Sequence, residues 1–137
     1  MKQQLLLFIA LALFAVSCSQ TPEPINFGKD QCTFCKMSIS DPKYGAELVT
    51  DKGRVHKYDA LECMINDLNT NNPAYSNLYA IAYDKPEQLI LVDSLVFVIS
   101  PEYKSPMGAN LASFTTENAP AAERKMAWND LLTEFDQ

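Results

Sequence analysis

The chain has 137 residues, a formal net charge of -6 and a single histidine. That length suits one ordinary domain with its own core. An acidic chain with no basic cluster argues against nucleic-acid binding, and four glycines without a phosphate-cradling loop, beside one histidine, argue against a nucleotide enzyme or hydrolase.

The chain opens with Lys2 and then twelve uninterrupted apolar residues, 5–16, too few for a membrane-spanning helix. Ala15-Val16-Ser17 leads to Cys18. This is the layout of a secretory signal over residues 1–17. Small residues ending at a cysteine resemble a bacterial lipobox, which implies cleavage before Cys18 and a lipid on its thiol. Cleavage removes 17 residues that carry Lys2 and no acid, leaving 120 residues at net charge -7. Ser19 gives no reason for retention at the inner membrane, so the outer membrane is an open destination. Residues 18–30, with Pro22 and Pro24, read as a lipidated end and short extended tether, ahead of a domain over 31–137.

Cys32-Thr33-Phe34-Cys35-Lys36-Met37 places two thiols and a thioether within six residues. Soft sulfur donors of this kind favour Cu(I) over hard cations. With Cys18 lipidated, Cys32, Cys35 and Cys63 remain, and three thiols cannot all pair within one chain. In an exported protein a leftover thiol is either buried and inert or kept for a purpose.

Next come a strand over 46–50, a hairpin turn at Asp51-Lys52-Gly53 and a return strand over 54–58. Asp59 and Glu62 have capping-box spacing for a helix. Leu61, Met64, Ile65 and Leu68 form its apolar stripe, and 69–73 ends it. Cys63 falls about 200° around that helix from Leu61, off the stripe. Runs 78–83 and 89–92 are strands around the turn Asp84-Lys85-Pro86, and 95–100 is another. Ser105-Pro106-Met107-Gly108 is a turn that holds a methionine, where a core residue is less expected. A strand over 109–114 follows. Asn118 is the expected start of the last helix, with the stripe Trp128, Leu131, Leu132 and Phe135.

The chain also matches itself at an offset of 63. Gly45, Ala46 and Leu48 align with Gly108, Ala109 and Leu111, and Asn66-Asp67-Leu68 aligns with Asn129-Asp130-Leu131. We expect an α/β (α+β) fold made of two similar β-β-α units, about 44–75 and 107–135, packed together.

A Cys-x-x-Cys pair alone also serves zinc, iron–sulfur clusters, haem attachment and thiol exchange. Haem attachment needs His after the second cysteine, where Lys36 stands. A cluster usually needs four cysteines. Thioredoxin-type chemistry expects the pair to open a helix; here an irregular Ser-Asp-Pro segment follows. Zinc is the serious competitor, because Cys32, Cys35, Cys63 and His56 would make a Cys₃His set. Cys63 and His56 are thus further candidate ligands beside Cys32, Cys35, Met37 and Met107. His56, on the return strand, also fits a plain surface or hydrogen-bonded role, and methionines most often only fill cores.

Cys32-x-x-Cys35-Lys36-Met37, the Tyr58-Asp59 to Cys63-Met64 helix start, and residues 105–114 resemble the NosL family of lipoprotein accessory factors of nitrous oxide reductase. The similarity runs from about Cys32 to Leu131. The family pattern has Gly where Lys36 stands, a change that affects loop freedom without removing a ligand. The resemblance implies a lipid-anchored, periplasm-facing copper chaperone, not an enzyme. It implies Cu(I) as cargo, and nitrous oxide reductase or its membrane-associated assembly proteins as partners. Its family fold of two β-β-α-type units agrees with the internal repeat. A structural zinc module and a thiol–disulfide redox protein remain the alternatives.

Overall fold

The structure is a computed structural model that describes residues 20–121 and 124–136. The expected signal, the lipidation site Cys18 and Ser19 lie outside the described residues. In order, the elements are β1 (Ala46–Val49), β2 (Val55–Tyr58), α1 (Leu61–Asn71), β3 (Asn77–Ala82) and β4 (Lys85–Leu91). A 3₁₀ turn (Val92–Ser94), β5 (Leu95–Ile99), β6 (Leu111–Thr115) and α2 (Trp128–Phe135) complete the chain. Among the described residues no helix is long and apolar enough to cross a membrane.

The strands form a four-stranded sheet in the order β2-β1-β3-β4 and a two-stranded sheet of β5 and β6, with antiparallel pairing throughout. This is the expected α+β class, and the β-β-α order occurs twice, as β1-β2-α1 and β5-β6-α2. Ser113 joins the two sheets. Its Oγ donates to the Ile81 carbonyl at 2.6 Å, and its own carbonyl accepts the Tyr83 N–H at 2.7 Å.

The expected second unit, about 107–135, holds only one strand, β6, and α2, because β5 lies before it. Residues 118–121, which the offset aligns with β2, form no strand; β6 pairs instead with the preceding β5. Met126 then bridges Phe97 on the free side of β5. The last helix accordingly starts at Trp128, ten residues after Asn118. Asn118 is not free to cap a helix, because its side chain donates to Asp84 at 2.9 Å and to Thr115 Oγ1 at 3.2 Å. Asp130 does the capping, accepting the Ala127 N–H at 3.2 Å. The expected turn at Asp84-Lys85-Pro86 also shifts. Lys85 and Pro86 belong to β4, an edge strand where proline removes no ladder bond.

The sheet has two distinct faces. Ala46, His56, Tyr58, Leu78 and Ala80 share the face that packs on α1, because strand side chains alternate. Tyr58 marks the contact by donating its hydroxyl to Asp67 of α1 at 2.6 Å. Asn72 ends the helix in the left-handed conformation, φ 43°, just before Pro73. Glu47, Lys57, Tyr79 and Ile81 share the opposite face, over which residues 20–25 run. Gly45 lets the segment approach closely there, since a Cβ would sit 2.8 Å from Ile25 Cδ1 and 3.0 Å from Ile81 Cδ1 and both side-chain ends would have to move.

Glu47 is fully buried under this segment. Its Oε2 accepts the Glu23 N–H at 3.0 Å, and its Oε1 has no hydrogen-bond partner among the described residues. Burial pushes its carboxyl up to about 7, against the pull of the Glu23 N–H and Lys57. The folded protein therefore holds a proton that the unfolded chain, titrating near 4.5, has lost. This contribution is complete below pH 4.5 and disappears as pH rises through 7. Measured by urea unfolding, the native protein is expected to lose about 2–3 kcal/mol relative to Glu47→Gln between pH 5 and pH 8, since the other titrating groups are common to both proteins. Equal pH slopes in the two proteins would contradict it.

Candidate metal centre

The chain enters the site as a hairpin over residues 28–39. Gly28 N–H donates to the Ile39 carbonyl at 2.8 Å, Ile39 N–H to Asp30 at 2.9 Å, and Cys32 N–H to Met37 at 2.8 Å. At the tip, Lys36 N–H turns back to the Cys32 carbonyl at 3.1 Å. Lys36 itself takes φ 65°, the left-handed region that glycine enters without strain. Its ammonium donates to the Thr33 carbonyl across the tip. Two contacts hold the hairpin on the edge of β2. Thr33 N–H donates to the Lys57 carbonyl at 2.7 Å, and Lys57 Nζ meets Asp30 Oδ2 at 2.8 Å.

The third thiol comes from α1, where Cys63 lies in the first turn. The helix N-cap is Ala60, with no side-chain cap, so the expected Asp59–Glu62 capping box does not form. Both carboxylates are diverted to other segments. Asp59 Oδ1 accepts the Ser40 N–H at 3.4 Å, just beyond the hairpin. Glu62 Oε1 accepts the Ser105 hydroxyl, and its buried Oε2 has no hydrogen-bond partner among the described residues. Leu111 N–H donates to Ser105 Oγ at 3.3 Å and Gly108 N–H to the Ser105 carbonyl at 3.0 Å. The Pro106-Met107-Gly108 turn is thus fastened to the first turn of α1, next to Cys63. Tyr103 anchors its other end in an aromatic cluster, with ring centroids 5.1 Å from Tyr83 and 5.2 Å from Phe114.

These ties bring the sulfur atoms of Cys32, Cys35 and Cys63 within 4.8 Å of one another. All three are free thiols. Cys32 and Cys63 are buried, while Cys35 is partly exposed. Of the expected ligands, Cys32 and Cys35 are therefore joined by Cys63, which the helical stripe placed off the packed face. Its first turn is enclosed by the sheet, the hairpin and the 105–110 loop together, so both sides of the helix are buried there. Met37 and Met107 stand at the surface, 57% and 41% exposed. Met37 follows the hairpin tip and Met107 lies in the turn fastened to α1. His56 is outside the three-thiol group. Its Nδ1 is buried, with no hydrogen-bond partner among the described residues.

The thiols do not share charge equally. The Cys63 thiol donates to Cys32 and, against desolvation, holds Cys32 down to about 5, with help from the Asp59 and Cys35 N–H groups. That same bond, with burial, pushes Cys63 well above the usual thiol range. Burial likewise raises Cys35. Of the three, Cys32 is the thiol most disposed to carry negative charge, and the cluster is made only of soft donors. Such donors suit Cu(I), whereas structural zinc takes four ligands and this cluster offers three.

The NosL family model matches residues 24–127. The chain belongs to the NosL family. The match contains all three clustered thiols, both exposed methionines and both sheets. A crystal structure of the copper chaperone NosL from Shewanella denitrificans superposes with a TM-score of 0.70 at 18% sequence identity, covering 82% of this chain and 96% of that one. At that identity the likeness establishes a shared fold. No curated protein matches the chain. In this NosL-family chain Lys36 holds the left-handed position at the hairpin tip, and its ammonium bond to the Thr33 carbonyl supports the tip in that conformation.

Proposed function

We propose that this NosL-family chain is an exported, lipid-anchored carrier of Cu(I). It delivers copper to a cuproenzyme, and nitrous oxide reductase with its membrane-associated assembly proteins is the favoured client. The carrying observation is the set of three thiols within 4.8 Å, two buried and one at the rim. Family membership supports the copper reading, and the lipobox-like end at Cys18 supports export and anchoring. The role needs no enzymatic step.

Transfer follows from the placement of the donors. Cys32 and Cys63 hold the cargo from within, while Cys35 faces the opening. A ligand from the client attacks at the open side before the inner sulfurs let go. The exposed Met37 and Met107 thioethers extend the soft donor path to the surface, so cargo need not pass through bare water. Four donors closing at once would favour storage; a three-thiol base with loosely held thioethers favours delivery.

Anaerobic titration of the reduced protein against a competing Cu(I) chelator, with Zn(II) in parallel, tests this reading. One-to-one Cu(I) binding that zinc does not displace is expected. Preferential zinc binding on which the fold depends would instead identify a structural module. Reversible thiol exchange with a substrate, without copper retention, would identify a redox protein. Met107→Leu keeps volume, so stability should change by less than about 1.5 kcal/mol. Cu(I) binding and transfer should nonetheless weaken in it, and unchanged values for both would remove Met107 from the path.

A further inference from the structure

Residues 20–25 cross the face of the four-stranded sheet opposite α1, held in turn by β2, β1 and β3. Lys57 Nζ on β2 donates to the Pro24 carbonyl at 2.8 Å. Glu47 on β1 accepts the Glu23 N–H at 3.0 Å. On β3, Asn77 Nδ2 and Tyr79 OH both donate to the Gln20 carbonyl, at 3.2 and 3.3 Å. Ile25 is buried where the segment turns toward the hairpin. Two strand spacings separate β3 from β2, about 10 Å, and the sulfur hairpin lies beyond β2. Gln20 is therefore well to the side of the thiols, on the other face of the sheet.

One residue, Ser19, separates Gln20 from Cys18. Two Cα–Cα steps reach at most about 7 Å. A lipid on Cys18 must then enter a bilayer close to Asn77 and Tyr79. The surface beside them sets two exposed apolar side chains, Tyr75 and Leu91, among the polar residues Ser76, Asn77, Asp93 and Asn129. Leu91 pairs with Tyr79 across β3 and β4 and shares its face. Tyr75 precedes Asn77 by two residues. Tyr75 and Leu91 are each 43% exposed. Both line a groove of about 390 Å³ that reaches Trp128 and Leu132. Tyrosine, with an apolar ring and a polar tip, suits the headgroup level of a membrane.

We infer that the patch of Tyr75, Tyr79 and Leu91, with the edge of β4, rests on the lipid bilayer when the chain is anchored through Cys18. A long free tether would let the domain take any orientation; a chain strapped to the sheet from Gln20 onward fixes which face meets lipid. The three thiols then lie away from the bilayer and open to the aqueous compartment, where a copper donor or client reaches Cys35 without displacing lipid. This orientation rests on the lipoprotein reading of Cys18.

The test uses the full chain in vesicles of phosphatidylethanolamine and phosphatidylglycerol, beside a variant with a flexible Gly/Ser insertion between Ser19 and Gln20. Mass spectrometry first reports whether Cys18 carries lipid. Hydrogen exchange should then be several-fold slower over 75–79 and 87–91 in the native chain than in the insertion variant, with no difference over 31–38. Leu91→Trp should gain quenching by brominated lipid in the native linker and lose it with the insertion. Equal exchange and equal quenching in the two lipidated proteins would overturn the docking surface and leave the anchor standing, as would protection over the hairpin. An unmodified Cys18 would overturn both.

Discussion

Cys63→Ser is expected to weaken Cu(I) binding by more than about 100-fold, because losing even a residue that only supports a metal ligand typically costs 10–100-fold. Cys63 is enclosed and lies within 4.8 Å of both other sulfurs. The variant loses a sulfur donor at the centre of the cluster, while its hydroxyl can still donate toward Cys32. A buried hydroxyl without a full set of partners costs about 1–3 kcal/mol. Cys63→Ala therefore runs beside it, to separate lost ligation from lost stability. Chelator competition and thermal melts on both variants decide the matter. Native affinity in folded Cys63→Ala would make Cys63 a packing residue and return the site to Cys32, Cys35 and the methionines.

Tyr103→Ala is expected to cost about 3–5 kcal/mol, the usual loss for removing a buried aromatic ring. Tyr103 is buried and touches two rings at centroid distances near 5 Å. It also ends the loop whose Ser105 binds Glu62, so the Met107 turn should loosen while the thiol cluster keeps its own ties to β2 and α1. Denaturant unfolding reads the first effect. The second appears as slower copper transfer with Cu(I) affinity reduced no further than in Met107→Leu. Affinity lost as completely as in Cys63→Ala would mean that the loop builds the thiol site itself.

Much of this architecture is local in the sequence and was legible there. The strands β1 and β2, the turn between them and the stripe of α1 follow from alternation, turn residues and helical period. The return of Gly-Ala-x-Leu and Asn-Asp-Leu 63 residues on matched β6 to β1 and α2 to α1 but predicted a second strand at 118–121 that does not form. The start of α2 was not legible, because Asn118 has the right side chain for a cap but spends it on Asp84, 34 residues away.

The metal centre divides along the same line. The sequence by itself supplied the candidate donors: the Cys32-x-x-Cys35 pair, a third thiol left over by the odd count, and a methionine in a Pro/Gly turn. Only the tertiary structure decided that Cys63 completes the cluster and His56 does not. The capping-box spacing of Asp59 and Glu62 concealed how this happens. Their carboxylates reach Ser40 and Ser105 instead of capping the helix, and so draw the hairpin side and the methionine turn onto the first turn of α1. Spacing along the chain fixes which donors can be neighbours locally. Side-chain hydrogen bonds between distant segments fix which of them meet.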